Sequence, residues 1–295
     1  MSRFSHFLAV DWSGARGPRQ KGIALAVALA KGGPPVLVAP PDPRGWARQE
    51  VLALLLDLPV ATLVGLDLGI SLPHADAGAF FPGWEASPAD ARGLWALIDA
   101  LCAADPHLEA GSFLAHPEAA RYFRHGAGAT GDRFLLPGAL SREGRFRRAE
   151  HAQRRQGVRP VSNFNLVGAA QVGKSSLTGM RMLHRLGGRI PVWPIDPLPQ
   201  EASSVVTKIY TAMAARLGGV TGAATKLRSF AALNDALDRL GSPPVAGEGP
   251  IDDHSADALL TAAWLRRVHK DRDLWHPPSL TPEIARTEGW TFGAL

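Results

Sequence analysis

The spacing of apolar and polar positions divides the chain into short strand-like runs and longer helix-like stretches. Residues 6–11 (HFLAVD), 22–30 (GIALAVALA) and 35–39 (PVLVA) are apolar runs of strand length, the first two separated by the Gly-bearing turn SGARGPRQK. Three such runs in succession predict an antiparallel meander. Residues 46–58 (WARQEVLALLLDL) carry helical spacing, and 61–69 (ATLVGLDLG) form a nearly unbroken apolar run, the pattern of a strand covered on both faces. Downstream, the pattern predicts helices over 89–104, 174–186, 225–240 and 253–269, with strands at 191–195 and 204–210. The order is that of an α/β domain whose mixed sheet holds a three-strand meander, then alternating helices and parallel strands. Residues 105–160 show little apolar periodicity and read as a helical or loop insertion within a single domain spanning 1–295.

Composition narrows the class. With 46% hydrophobic and 20% charged residues the chain has material for a substantial core, which excludes a disordered or collagen-like protein. A lone cysteine, Cys102, excludes an internal disulfide framework and a cysteine zinc cluster, and fits a reducing compartment. The early apolar run at 22–30 is too short to span a bilayer and lacks the flanks of a signal peptide. A soluble, cytoplasmic protein with no membrane partner is expected.

Charge is unevenly placed. Of 32 basic residues 26 are Arg, and residues 141–160 (SREGRFRRAEHAQRRQGVRP) hold seven Arg against two Glu, a local excess equal to the +5 of the whole chain. In helical geometry Arg147, His151 and Arg154 share a face, with Arg148 and Arg155 beside them, a stripe suited to a polyphosphate backbone. The competing reading is a solvated connector.

The candidate chemistry lies in carboxylates. Asp11 ends the first strand-like run, and Asp67 interrupts the buried one, where an unpaired carboxylate would cost several kcal/mol or take up a proton. A metal, an Arg or a set of hydrogen-bond donors is therefore expected beside Asp67. In IDDHSADALLTAAW, Asp253 and Asp257 are one helical turn apart and His254 is three residues from Asp257, so these side chains share a face. If that helix crosses the strand ends, Asp11, Asp67, His254 and Asp257 meet in an oxygen-rich cluster suited to Mg²⁺ or Mn²⁺. Taken singly, each has a plainer role: Asp253 as an N-cap, Asp257 in the helix dipole, Asp11 in the following turn. Glu50, His74, the pair His116 and Glu118, and Trp12 are secondary candidates, each with a structural reading at least as good.

The succession AVDWSGA, KGIALA, GLDLGISLP and DDHSADALLTAAW resembles the ribonuclease H-like superfamily, and more closely the bacterial family of unknown function catalogued as number 429, predicted to be nucleases. SNFNLVGAAQVGKSSLTGMRMLHRL and VVTKIYTAMAARL are similar to later segments of that family, so the resemblance covers most of the chain outside roughly 105–155. It implies a metal-dependent nuclease acting on DNA or RNA, with two divalent ions held by acidic residues at positions matching Asp11, Asp67 and Asp257. Asp11 would bridge both ions, Asp67 and Asp257 would hold one each, Asp253 would stand by as a further ligand, and His254 would ligate metal or move protons. The His254 and Asp257 pair resembles the late-helix pair of some Holliday-junction resolvases. One position departs from the family pattern: Lys208 stands two residues before Tyr210, where an acidic residue is expected.

Two alternatives come from other residues. Residues 168–175 (GAAQVGKS) satisfy the phosphate-loop pattern G-x-x-x-x-G-K-S, in which Lys174 would reach phosphates and Ser175 a Mg²⁺, making the protein an ATP-binding enzyme. The expected loop opens on a strand and uses a downstream acidic residue, for which Asp196 is the candidate; otherwise Lys174 is a nucleic-acid phosphate contact. Lys208 favours the second alternative, a nucleic-acid-binding module without catalysis.

Overall fold

The computed structural model describes residues 3–59, 61–126, 128–139, 141–168, 171–220 and 227–295. The meander forms as expected: β1 (His6–Asp11), β2 (Ala24–Leu29) and β3 (Val36–Val38) pair antiparallel in chain order. Helix α1 (Arg48–Leu56) leads to β4 (Thr62–Asp67), which pairs parallel with β1 in a register running from His6 opposite Thr62 to Asp11 opposite Asp67. β5 (Val192–Trp193) and β6 (Val205–Lys208) add further parallel pairs, and the six-stranded mixed sheet has the order β3-β2-β1-β4-β6-β5.

Both faces of the sheet are covered. Leu8, Val10, Val64 and Leu66 pack into an apolar cluster with α2 (Ala91–Leu101) and α6 (Val172–Arg185), whereas Phe7, Ala9 and Leu63 pack into a second cluster with α9 (Asp253–Val268). Since successive strand residues point to opposite faces, a strand buried on both must be apolar at every position. That is why residues 61–69 read as an unbroken run.

Residues 105–160 are woven into the core. They contain the short helices α3 (Gly111–Ala115) and α4 (Pro117–Ala120) and the longer α5 (Arg148–Arg155), and Phe113, Tyr122, Phe123 and Phe134 are buried in the same cluster as Trp95 and Leu177. Each such aromatic contributes on the order of 2 kcal/mol by burial. They are delivered by turns and single-turn helices, so no one period registers in the sequence. The pattern also passed over α7 (Thr211–Leu217), α10 (Arg272–Trp275) and α11 (Pro282–Thr287). The helix expected over 225–240 is α8 (Phe230–Arg239), capped by the Ser229 hydroxyl accepting from Ala232 N; residues 225 and 226 lie outside the described residues. Among the described residues no helix is long and apolar enough to cross a membrane.

Candidate active site

The parallel pairing of β1 with β4 sets Asp11 and Asp67 side by side at the carboxyl ends of adjacent strands. Both border a cleft of about 410 Å³ whose wall includes Trp12, Glu150, Asn163, Ser175, Lys208, Tyr210 and His254. Such a position, outside the strand ends of an α/β sheet, is where ligands of these folds commonly sit.

Helix α9 brings the third group. Its N-cap is Asp252, whose carboxylate accepts from Ser255 N at 2.9 Å; Asp253, which the sequence favours as the cap, lies one residue inside. This start places His254 over the end of β1, with Nδ1 2.7 Å from Asp11 Oδ2. Gly22 eases the approach, since a Cβ there would stand 3.3 Å from His254 Nε2, close enough that the ring would have to give by a few tenths of an ångström. The Asp11 hydrogen bond is the largest influence on His254 and raises its pKa, against the opposing effect of burial.

Asp67 experiences a different balance. Burial is the first cause of a raised pKa, Lys208 pulls it back, Asp11 raises it further, and the Thr211 hydroxyl donates to Oδ2 at 3.3 Å. A desolvated carboxylate facing a second one is a demand for positive charge. Lys208, 6% exposed, answers part of it: its Nζ donates to Ile209 O at 2.9 Å, and burial followed by Arg147 lowers its pKa while Asp67 raises it.

Of the four carboxylates named as metal candidates, Asp11 and Asp67 meet. Asp253 instead faces Arg228, with Oδ1 3.6 Å from Nε, and Asp257 lies off the cleft lining, near enough to His254 for its charge to raise the imidazole pKa. The helical spacing did put His254 and Asp257 on related positions, but helix rotation gives the cleft to His254. Among the described residues, no group of three or more His, Cys, Asp or Glu side chains is assembled to hold a metal. The donor set that does converge, two side-by-side carboxylates, fits one hard divalent cation completed by water and phosphate oxygens, the usual manner in which Mg²⁺ is held.

The basic segment also differs from expectation. Arg147 is fully buried: its guanidinium bonds Glu150 through both Nε and Nη2, and Nη1 donates to Glu288 O at 3.0 Å. Arg154 pairs with Glu143 at 2.9 Å and lies 3.9 Å over the Phe146 ring. Arg148 and Arg155 are exposed, on the helix whose buried face brings Glu150 and Gln153 to the cleft. The stripe is therefore half structural, because arginines on the inner face of α5 found carboxylates and backbone carbonyls of the same chain.

The phosphate-loop match at 168–175 lacks its premise. No strand precedes it within 161–168, α6 begins inside it at Val172, and Ala169 and Ala170 lie outside the described residues. Three of the amides that would cradle phosphate are used: Gly173 N donates to Asn165 O, while Lys174 N and Ser175 N donate to Gln171 O. Ser175 Oγ bonds Val172 O, Lys174 Nζ bonds Gln171 Oε1 at 2.8 Å, and Asp196 is tied to Arg92. Gly14 explains the packing here: a Cβ on it would lie 2.3 Å from Ser175 N, so the turn after β1 rests directly on the start of α6. Arg48 holds that turn from beneath, bonding the carbonyls of Ser13 and Ala15.

The secondary candidates are structural. Trp12 is buried and donates to Thr178 Oγ1 at 3.0 Å; Glu50 takes a two-pronged bond from Arg19 and caps α1 through Ala47 N. His74 packs on Phe80, His116 caps α4, and Glu118 pairs with Arg121. Glu150, Gln153 and Asn163 in the cleft wall were not foreseen; the sequence presents Glu150 as one minor charge in an arginine-rich stretch, and nothing local marks the other two.

No protein-family model matches the chain, and no curated protein or solved structure matches it significantly.

Proposed function

We propose that the protein is a divalent-metal-dependent nuclease of ribonuclease H-like type, hydrolysing phosphodiester bonds of nucleic acid in the cleft at the ends of β1 and β4. The observation that carries this reading is the register pairing of Asp11 with Asp67, with His254 bonded to Asp11. The strand order β3-β2-β1-β4-β6-β5, antiparallel up to β1 and parallel from there on, supports the fold assignment.

Asp11 and Asp67 would hold Mg²⁺ or Mn²⁺, which when bound polarises the phosphodiester and lowers the pKa of water. Asp11 has a second task. By accepting from Nδ1 it fixes the imidazole of His254 and leaves Nε2 as the end that exchanges protons with the reactants. Water adds its oxygen to phosphorus as the bond to the leaving sugar oxygen breaks. The water's proton passes to His254, and the leaving oxygen takes a proton from solvent, to which His254 later returns its own, giving a phosphomonoester end and an alcohol end. Tyr210 and Trp12 wall the cleft, and the exposed Arg148 and Arg155 offer sequence-independent contacts to the backbone of the substrate.

The test is Mn²⁺ calorimetry on wild type, Asp11→Asn and Asp67→Asn, followed by cleavage of a panel of DNA and RNA oligonucleotides. Wild type should bind Mn²⁺ and cut at least one substrate, with both properties lost in the two variants. Absence of Mn²⁺ binding with and without oligonucleotide overturns the nuclease reading. Oligonucleotide binding that persists in EDTA and in Asp11→Asn, without cleavage, would instead make the protein a binding module, the reading that Lys208 favours.

A further inference from the structure

A second cavity, of about 580 Å³, adjoins the cleft and has no part in the hydrolysis described above. Gly14 and Gln171 border both spaces, and the partition between them is thin: Trp12, on the cleft side, donates its indole N–H at 3.0 Å to Thr178 Oγ1, on the cavity side. Its size lies within the range of about 300–1,000 Å³ usual for small-molecule sites.

The lining joins two chemistries. Leu114 and Leu166 give it an apolar wall, and Arg16 and Lys174 give it two cations. Other cations beside the turn after β1 are consumed, Arg19 by a two-pronged bond to Glu50 and Arg48 by backbone carbonyls. Arg16 is exposed and Lys174 half-buried, and neither meets a carboxylate among the described residues. Lys174 Nζ gives one of its three donors to the neutral Gln171 Oε1, at 2.8 Å, and Gln171 stands on the boundary of both spaces. Glu109, also in the lining, accepts from Gly17 N at 2.6 Å through Oε1, which leaves Oε2 to accept from a sugar hydroxyl or a base amino group. Two uncommitted cations facing an apolar wall match a ligand that is anionic at one end and flat and apolar at the other. We propose that this cavity binds a nucleoside phosphate, with the phosphate at Arg16 and Lys174 and the base against Leu114 and Leu166. Across so thin a partition the source is a neighbouring nucleotide of the strand being cut, a step that rests on the nuclease reading; a free nucleotide has the same chemistry and is the other source.

The test is calorimetry with AMP in EDTA, which separates this site from any metal. Wild type and Asp11→Asn should bind AMP equally, whereas Arg16→Glu and Lys174→Gln should each weaken it by about tenfold or more, because a charge facing the phosphate is reversed or lost. Ribose 5-phosphate should bind wild type about tenfold more weakly than AMP, for want of the buried base. Thermal unfolding establishes that each variant is folded. AMP is then titrated into Asp11→Asn holding a single-stranded oligonucleotide: competition assigns the cavity to the strand, and simultaneous binding assigns it to a free nucleotide. No AMP binding by wild type, equal binding by Arg16→Glu, or equal affinities for AMP and ribose 5-phosphate overturns the inference while leaving the nuclease reading in place. Absence of Mn²⁺ binding and of cleavage overturns the nuclease reading and leaves the AMP result standing.

Discussion

Replacing Arg147 by alanine should damage the fold and leave substrate recognition by exposed charge intact. The guanidinium is fully buried, bonds Glu150 through Nε at 3.1 Å and also through Nη2, and reaches Glu288 O at 3.0 Å. Glu150 itself is only 5% exposed in its side chain. Truncation thus strands a buried carboxylate, for which about 3–5 kcal/mol is the expected cost. An unfolding entropy of about 2.1 cal/mol/K per residue over 295 residues converts this into a Tm lowered by about 5–8 °C. The double variant Arg147→Met with Glu150→Leu removes both charges and fills similar volume, and should recover to within about 1–2 kcal/mol of wild type. Urea unfolding of the four proteins, with oligonucleotide binding measured across a salt series, tests both halves. The salt slope should be unchanged in Arg147→Ala and reduced by about one in Arg155→Ala. A normal unfolding midpoint for Arg147→Ala combined with a reduced salt slope would refute the reasoning, since Arg147 would then be touching nucleic acid instead of Glu150.

Other perturbations probe the site and its framework. Because the Asp11 bond raises the His254 pKa, the imidazolium stabilises the fold below its ordinary value near 6.5, and that contribution is lost as pH rises through the raised folded value. NMR titration of His254 in metal-free protein should show the pKa falling in Asp11→Asn; an identical titration in both proteins would mean the pair does not form. Gly14→Ala drives a Cβ to 2.3 Å from Ser175 N and 2.4 Å from the Lys174 carbonyl carbon, backbone atoms that cannot swing aside. It should cost about 1–3 kcal/mol in urea unfolding and weaken Mn²⁺ binding by moving the cleft wall, whereas wild-type values for both would show that the turn does not rest on α6.

How far the site could be read from sequence follows from how each residue is delivered. Asp11 and Asp67 were legible because each is a charge closing an apolar strand, and a buried strand has no cheap place for one. His254 was legible as a helix-start residue, yet its neighbours Asp253 and Asp257 carried the same signal. Spacing along a helix states which residues share a face and leaves open how far the helix is rotated against the sheet. Glu150 and Asn163 were invisible because they come from irregular or arginine-rich stretches with no period.

The sequence by itself determined the elements: a meander, a doubly buried strand ending in Asp67, and a late helix opening on acidic residues, because apolar periodicity and strand-end charge are local properties. It also identified Lys208 as the odd residue. Only the tertiary structure decided the register that places Asp11 beside Asp67, and the pairing that consumes Arg147 and Asp253. It also decided that the backbone amides of residues 173–175 are bonded within the protein and closed to phosphate. Those outcomes depend on which elements become neighbours, and a buried charge takes whatever partner that packing supplies.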